Sequence, residues 1–201
     1  MLGEPRAVPP SGAGVPDQPA DSTGPPQGRS RTTLLLRSWA RDLAVSIGIA
    51  TFIILFIYQP VKVEGTSMLP GLEDQERIFV NKFVYRLGPI QRGDVIVFRY
   101  PRDPAKSYIK RVVAVGGDRV RIERGTVYVN GAALQEDYIP DQFRDFRSSP
   151  EMAVPPGSYF VLGDHRSLSN DSRDFGPVPQ DLVTGKAVFA YWPVAKLGAL
   201  R

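Results

Sequence analysis

The chain contains no cysteine and only one histidine among its 201 residues. Without cysteine there is no disulfide framework, no thiolate nucleophile and no thiolate ligand for zinc. One histidine is too few for the usual histidine-rich metal centre. Residues 62–201 also lack the patterns GxGxxG and GxxxxGK[ST], which cradle phosphate groups. We therefore expect neither a metal ion nor an organic cofactor.

The sequence also lacks clusters of like charge, although the formal net charge of the whole chain is +4. Residues 62–201 hold 20 basic and 17 acidic residues, and these are spread along the segment. No basic stripe with interleaved aromatic residues accompanies the small excess of positive charge. The sequence therefore favours no nucleic-acid partner.

Large apolar residues are rare in residues 1–30, which contain 7 proline and 5 glycine residues. A segment of this composition cannot bury enough apolar surface to offset the entropy lost on ordering. We predict that residues 1–30 form a disordered tail.

The next segment has the opposite character, because residues 43–61 carry no formal charge. As a helix with a rise of about 1.5 Å per residue, this run just spans a hydrocarbon core of about 30 Å. A buried core helix and a cleaved signal peptide are the alternatives. Signal peptides usually have a shorter apolar region and a small-x-small cleavage site, and residues 59–63 offer no small pair. We predict an uncleaved single transmembrane anchor within residues 31–61.

Basic residues give this anchor an orientation. Four arginines precede the run, and no acidic residue lies between them. The first acidic residue after them is Asp42. The positive-inside rule then places the N-terminus in the cytoplasm and residues 62–201 outside it, with the chain in the cell membrane. The four arginines are Arg29, Arg31, Arg37 and Arg41.

Residues 62–201 are typical of a β domain. Short runs rich in Val, Ile, Phe and Tyr are separated by Gly, Pro and Asp, and Arg124-Gly125 is a hairpin signal between two of them. The pattern predicts a mainly β fold of folded-over antiparallel sheets or a partial barrel, without long helices. The predicted strands are 77–84, 94–100, 108–115, 119–123, 126–130, 159–162 and 187–192.

Three segments carry candidate chemistry. In the first, residues 64–72, Ser67 lies in a turn bounded by Gly65 and Pro70, where its hydroxyl can be exposed beside a backbone N–H. In the second, residues 107–118, Lys110 lies on a predicted strand among apolar neighbours, and desolvation there would lower its pKa and suit it to act as a general base. An ordinary turn serine and a surface strand lysine are the alternatives for each segment alone.

The third segment, residues 163–179, is a dense polar cluster after an apolar run. It suits a buried hydrogen-bond network that orients side chains, or else a solvated surface loop.

In this order, the segments resemble the bacterial type I signal peptidases, or leader peptidases, a family of membrane-bound serine proteases. The matching stretches are 67–70, 92–98, 108–113 and 163–173, and the resemblance covers most of 60–192. It implies a signal-peptidase-like β fold in which Ser67 is the nucleophile and Lys110 is a neutral general base. The backbone N–H of Ser67 would contribute to the oxyanion hole. Some members add a serine hydroxyl at the position of Gly65, but other members have glycine there, as this chain does.

The resemblance also implies three supporting residues. Ser169 matches a residue that hydrogen-bonds and positions the lysine, and Asp171 and Arg173 match a structural ion pair. The substrates would be preproteins whose signal peptides end in small-x-small, with the lipid bilayer and the export translocon as further partners. Recognition of small substrate residues requires shallow apolar pockets, which exclude larger side chains sterically. The residues expected to bind substrate are Val63, Gly65, Met68, Leu72, Ile78 and Ile109.

Three alternatives stay open from the sequence. His165 stands where the family usually has asparagine and adjoins Asp164, so a triad of these two residues with Ser67 is one of them. The second is a specialised or self-cleaving peptidase with the same serine and lysine. The third is a catalytically silent, membrane-anchored β module that binds an export partner.

Overall fold

The computed structural model describes residues 31–200, which form three α-helices, four 3₁₀ turns and twelve β-strands. The predicted tail, residues 1–30, lies outside the described residues. The helices are α1 (Arg31–Phe56), α2 (Val84–Leu87) and α3 (Ser172–Phe175). The strands are β1 (Tyr58–Lys62), β2 (Arg77–Asn81), β3 (Val95–Tyr100), β4 (Asp103–Val115), β5 (Arg119–Glu123), β6 (Thr126–Val129), β7 (Ala132–Ala133), β8 (Ser149–Ala153), β9 (Ser158–Leu162), β10 (Val178–Pro179), β11 (Val183–Trp192) and β12 (Gly198–Ala199).

The strands form two antiparallel sheets. The larger sheet has the order β1-β2-β11-β3-β4-β9-β10, with β12 paired to β11. The smaller sheet has the order β7-β6-β5-β8. The predicted class, a mainly β fold built from antiparallel sheets, is confirmed.

Burial along the strands explains why they were recognisable. In β5 and β6, buried and exposed residues alternate, as expected for strands with one face on a core. In β9 every residue is buried, and so are the first four residues of β3, because these strands lie inside the larger sheet with both faces covered. Such strands appear in the sequence as continuous apolar runs.

The hairpin between β5 and β6 follows the prediction. Glu123 pairs with Thr126 across a two-residue loop, Arg124-Gly125. Both loop residues have positive φ, 45° and 82°, which is the backbone of the type I′ turn. A side chain at Gly125 would also collide with the carbonyl oxygen of Asp145, 2.0 Å from an ideal Cβ.

Some predicted boundaries are wrong. The strand predicted over 77–84 ends at Asn81, because the Asn81 side chain accepts hydrogen bonds from the backbone of Phe83 and Val84 and the chain turns into α2. The predicted strands 108–115 and 187–192 are the ends of longer strands. Five strands were not predicted: β1, β7, β8, β10 and β12.

The uncharged run over 43–61 is not one helix. Helix α1 ends at Phe56, and Tyr58–Lys62 forms β1, which pairs with β2. Pro60 has no amide hydrogen to donate within a helix and favours an extended residue before it, so the chain leaves the helix at this point. Within residues 31–200, no helix is long and apolar enough to cross a membrane. The expected transmembrane helix over this run is therefore not found in the described part of the chain.

The hydrophobic core consists of three clusters. One lies around Ile78, Val80 and Val97 in the larger sheet, beside the turn after β1. A second joins the smaller sheet to β4 and β9. The third packs around Phe98, which is fully buried.

Phe98 provides a test of this packing. We expect Phe98→Ala to lower the free energy of unfolding by about 3–5 kcal/mol, because it removes a fully buried ring and leaves a cavity. Phe146→Ala is the matched control, since that ring is 87% exposed, and it should change stability by less than about 0.5 kcal/mol. Urea denaturation measures both values, and equal losses would contradict this assignment of the core.

Candidate active site

Ser67 lies in a tight turn that follows β1. Gly65 at the start of the turn has a φ of 93°, and its amide donates to the Asp74 carboxylate at 2.8 Å. The next residue after Ser67, Met68, is buried in the core together with Leu72, whose amide donates to the Met68 carbonyl at 2.9 Å. The turn is thus anchored by its apolar side chains, while Ser67 itself stays half-exposed on a cleft.

Lys110 reaches this turn from β4. It lies opposite Ile96 of β3, and only 4% of its surface is exposed. Its Nζ donates to Ser67 Oγ at 2.6 Å and to the Ile109 carbonyl at 3.0 Å. The serine and lysine that the sequence singled out, 43 residues apart, are therefore in direct contact.

Burial changes the acid–base properties of this amine. Desolvation disfavours the charged ammonium and lowers the pKa of Lys110 from 10.5 to about 8, although the carboxylates of Asp171 and Asp164 act in the opposite direction. A substantial fraction of the amine is therefore neutral at mildly alkaline pH. A neutral amine within hydrogen-bond distance of a hydroxyl can accept its proton.

The polar segment 163–173 packs against the serine turn. The amide of His165 donates to the Ser67 carbonyl at 3.0 Å. Gly163 is required at its position by close approach, because an ideal Cβ there would lie 2.5 Å from the Ser67 carbonyl oxygen and 2.2 Å from Ser169 Oγ. The segment is therefore a buried scaffold for the turn, not a solvated loop.

The expected hydrogen bond between Ser169 and Lys110 is not formed in this structure. Ser169 is buried next to the serine turn, but its Oγ has no hydrogen-bond partner among the described residues. The Lys110 amine donates instead to the Ser67 hydroxyl and to the backbone carbonyl of Ile109. Ser169 is thus brought to the site without the contact that the resemblance implied.

Asp171 and Arg173 form the expected ion pair. Arg173 Nε lies 2.7 Å from the carboxylate of Asp171, which is fully buried. The same carboxylate accepts from the Gly163 amide at 3.1 Å and caps the N-terminus of α3 in a capping box with Asp174. Arg173 also pairs with Asp145 at 2.6 Å. These contacts join both ends of the 163–173 segment to one buried point.

Two further buried ion pairs near the site were not predicted. Arg111, the neighbour of Lys110, makes a bidentate pair with Asp164 at 2.9 and 2.7 Å. Arg166 pairs with Glu136 at the other side of the segment, with Nη1 at 2.9 Å from the carboxylate. The partners are 53 and 30 residues apart, so no local pattern in the sequence connects them.

The triad alternative is not supported by this geometry. The His165 ring places Nδ1 3.2 Å from the Thr66 carbonyl and packs edge-on against Phe143. The carboxylate of Asp164 is directed at Arg111 and not at the imidazole. Among the described residues, the hydroxyl of Ser67 is bonded to the lysine and not to the histidine.

Ser67 and Lys110 open onto a cleft of about 730 Å³. The wall residues come from the two sides of the serine–lysine contact, 61–68 and 105–110, together with Val97, Leu168 and Asn170. Four of the six predicted substrate-binding residues line it: Val63, Gly65, Met68 and Ile109. The other two do not. Leu72 and Ile78 are buried in the core cluster that also contains Val63 and Met68, so they support the wall from behind.

Residues 31–200 contain no group of three or more His, Cys, Asp or Glu side chains that could hold a metal ion. The cleft presents a hydroxyl, on Ser67, in contact with a desolvated amine, on Lys110. An antiparallel β fold that presents this pair beside an extended cleft is typical of serine peptidases with a lysine partner.

Comparison with known proteins agrees with that class. The family model described as signal peptidase, peptidase S26, matches residues 36–192. The chain therefore belongs to the signal peptidase I family, peptidase S26, whose members are membrane-associated serine endopeptidases.

Individual relatives cover most of the chain. A probable signal peptidase I-1 from Synechocystis sp. is 38% identical over 79% of this chain and 83% of its own. Signal peptidase IB from Staphylococcus aureus is 36% identical over 80% of this chain and 92% of its own. Signal peptidase I from Leptolyngbya laminosa is 37% identical over 92% of this chain and 91% of its own. A crystal structure of a signal peptidase I from Enterococcus faecalis V583 is 34% identical, covers 49% of this chain and 97% of its own, and has a TM-score of 0.44.

The lowered pKa of Lys110 predicts a pH-dependent contribution to stability. Between pH 8 and 10.5 the unfolded chain retains a proton that the folded chain has lost, so folding gains free energy as pH rises. Relative to Lys110→Met, which has no titrating amine, the wild type should gain about 2 kcal/mol in free energy of unfolding from pH 7 to pH 10.

Chemical denaturation at several pH values measures this difference. Lys82→Met, at an exposed lysine, controls for the loss of one positive charge. The same pH dependence in both variants would show that burial of Lys110 is not its cause.

Proposed function

We propose that this chain removes N-terminal signal peptides from exported preproteins by cleaving after small-x-small sites. The observation that carries the proposal is the 2.6 Å contact between Lys110 Nζ and Ser67 Oγ at a position where burial lowers the pKa of the lysine to about 8. Membership of the signal peptidase family agrees with preproteins as the substrate class.

In the first half-reaction, Ser67 Oγ attacks the scissile carbonyl while neutral Lys110 Nζ accepts the hydroxyl proton. The resulting oxyanion is stabilised by the backbone N–H of Ser67, since Gly65 has no hydroxyl to add. When the tetrahedral intermediate collapses, the peptide C–N bond breaks and the ammonium of Lys110 returns the proton to the leaving amine. The product is an ester of Ser67 with the signal peptide.

In the second half-reaction, neutral Lys110 takes a proton from a water molecule, which attacks the ester carbonyl. Collapse of the second intermediate releases the signal peptide acid and returns the proton to Ser67 Oγ. One lysine therefore acts alternately as base and acid, which requires that its pKa lie near the working pH.

The cleft accounts for the preference for small residues. Val63, Met68 and Ile109 line it, and the fully packed side chains behind them leave the wall little room to yield. A large substrate side chain at the cleavage site would need to displace core atoms of the protein. The free energy of that displacement exceeds the free energy lost when a small side chain leaves a contact unmade. Steric exclusion is thus the proposed basis of selectivity.

The strands beside the cleft suit an extended substrate. Strand β4 pairs with β3 on one side, but β9 covers its other side only from Arg111 onward. Within residues 31–200, the stretch from 105 to 110 therefore has an unpaired strand edge, and it lines the cleft together with residues 61–66. An extended peptide can add main-chain hydrogen bonds at such an edge.

We further propose that the enzyme acts at the cell membrane, with the N-terminus in the cytoplasm. Of the predicted anchor, 31–61, helix α1 is then the attachment segment, and β1 belongs with 62–201 to the exported catalytic domain. Support comes from the membrane association of the family, the uncharged run 43–61 and the arginines before it. The lipid bilayer and the export translocon are then its partners beside preproteins.

Two substitutions test the proposed chemistry. Ser67→Ala and Lys110→Ala should each reduce cleavage of a purified preprotein by about a thousandfold or more, because each removes one member of a unit. Lys82→Ala is the control for lysine and should leave the rate unchanged, since it is exposed and outside the cleft.

His165→Ala completes this set. Its rate of preprotein cleavage should stay within about fivefold of the wild-type rate, because the variant loses one hydrogen bond to Thr66 while the backbone contact to Ser67 remains. Activity surviving in both Ser67→Ala and Lys110→Ala would overturn the serine–lysine mechanism. Binding of preprotein without any cleavage by the wild type would favour the silent module.

The pH profile tests the role of the lysine separately. Because Lys110 must be neutral, the rate should rise with pH through an apparent pKa of about 8, well below the value of 10.5 for a free lysine, and level off above it. Initial rates of preprotein cleavage in detergent from pH 6 to pH 9 measure this profile. A flat profile over that range would rule out desolvation as the activating influence.

A further inference from the structure

A second cavity of about 640 Å³ adjoins the cleft. Both are lined by Leu168 and Asn170, so they lie next to each other at the loop 166–170. The second cavity contains none of the residues from 61–65 or 105–109 that form the walls beside the serine. Its lining residues are Arg102, Arg147, Ser167, Leu168, Ser169, Asn170 and Asp174.

This arrangement assigns the two cavities to the two sides of the scissile bond. The signal-peptide side of the substrate occupies the walls 61–65 and 105–109, with the scissile carbonyl at Ser67. On this assignment, the chain that follows the bond leaves the cleft past Leu168 and Asn170, which line both cavities. Leu168 is 65% exposed at this passage and offers an apolar contact to a substrate.

The charges in the second cavity are unequal. The guanidinium of Arg102 is exposed and donates to the backbone carbonyl of Asp174, and among the described residues no carboxylate pairs with it. Arg147, 41% exposed, pairs with Asp145 and with Asp174. Of the charged groups that line the cavity, two are guanidinium groups and one is a carboxylate, that of Asp174, which pairs with Arg147.

We propose that this cavity binds the first residues of the mature protein and favours an acidic side chain there, with Arg102 as the group that recognises it. The proposal rests on the proposed function, because it names the leaving side of the same substrate. A carboxylate two to four residues after the scissile bond would pair with Arg102 at the edge of solvent, whereas a lysine at the same place would be repelled.

The experiment compares nine preproteins, which form one set of three for each of three positions in the mature segment. Asp, Ala or Lys is placed at the second, third or fourth residue after the scissile bond, and kcat/KM is measured for each. We expect the Asp substrate to be cleaved about threefold to fivefold faster than the Lys substrate at the preferred position, the range of an exposed ion pair. The difference should shrink in 0.5 M NaCl, because salt screens exposed charges.

Charge reversal identifies the residue responsible. Arg102→Glu should invert the order so that the Lys substrate is preferred, and Arg102→Ala should abolish the difference between the two. Arg99→Ala is the matched control, because Arg99 is an exposed arginine on β3 that does not line the cavity, and it should keep the wild-type ratio. A ratio of rates is used so that a general loss of activity in a variant does not affect the result.

The outcomes separate the two proposals. Cleavage by the wild type at equal rates for Asp and Lys at all three positions would overturn the acidic preference and leave the proposed function standing. An acidic preference that persists unchanged in Arg102→Glu would overturn the assignment to this cavity. Failure of the wild type to cleave any of the preproteins would overturn the proposed function and this inference with it.

Discussion

The chemistry proposed here depends on the removal of one amine from water. Desolvation is the largest influence on Lys110 and lowers its pKa, while the negative charges of Asp171 and Asp164 raise it. Both carboxylates are paired with arginines, Arg173 and Arg111, at 2.7 Å. An unpaired carboxylate near the amine would hold the ammonium form more strongly in a low dielectric. The buried ion pairs thus allow burial of the lysine to determine its protonation.

The same ion pairs give the segment 163–173 its shape. Asp171 accepts from the Gly163 amide, pairs with Arg173 and caps α3, so one carboxylate holds together two ends of the segment. The segment in turn contacts the backbone of Ser67 through the His165 amide and the close approach at Gly163. The position of the Ser67 hydroxyl is therefore set by a network that includes neither this hydroxyl nor the Lys110 amine, as expected for a preorganised site.

The sheet supplies the other half of the site. Strand β4 carries the buried Lys110 beside β3, and its stretch from 105 to 110, which β9 does not cover, forms one wall of the cleft. The fold thereby buries the amine and exposes a strand edge within a few residues of each other. The two proposals assign the cleft to the acyl side of the substrate and the second cavity to the leaving side. Selectivity would then depend on steric exclusion in the cleft and on charge in the second cavity.

Local patterns in the sequence determined what needs no distant partner: the strands with alternating burial, the type I′ turn at Arg124-Gly125 and the residue types for serine–lysine chemistry. Only the tertiary structure decided which residues meet. It ended the helix before Pro60, placed Leu72 and Ile78 behind the cleft, joined Arg111 to Asp164 and left the Ser169 hydroxyl without the expected bond. These outcomes depend on strand register and on packing between segments tens of residues apart, which no pattern of neighbouring side chains encodes.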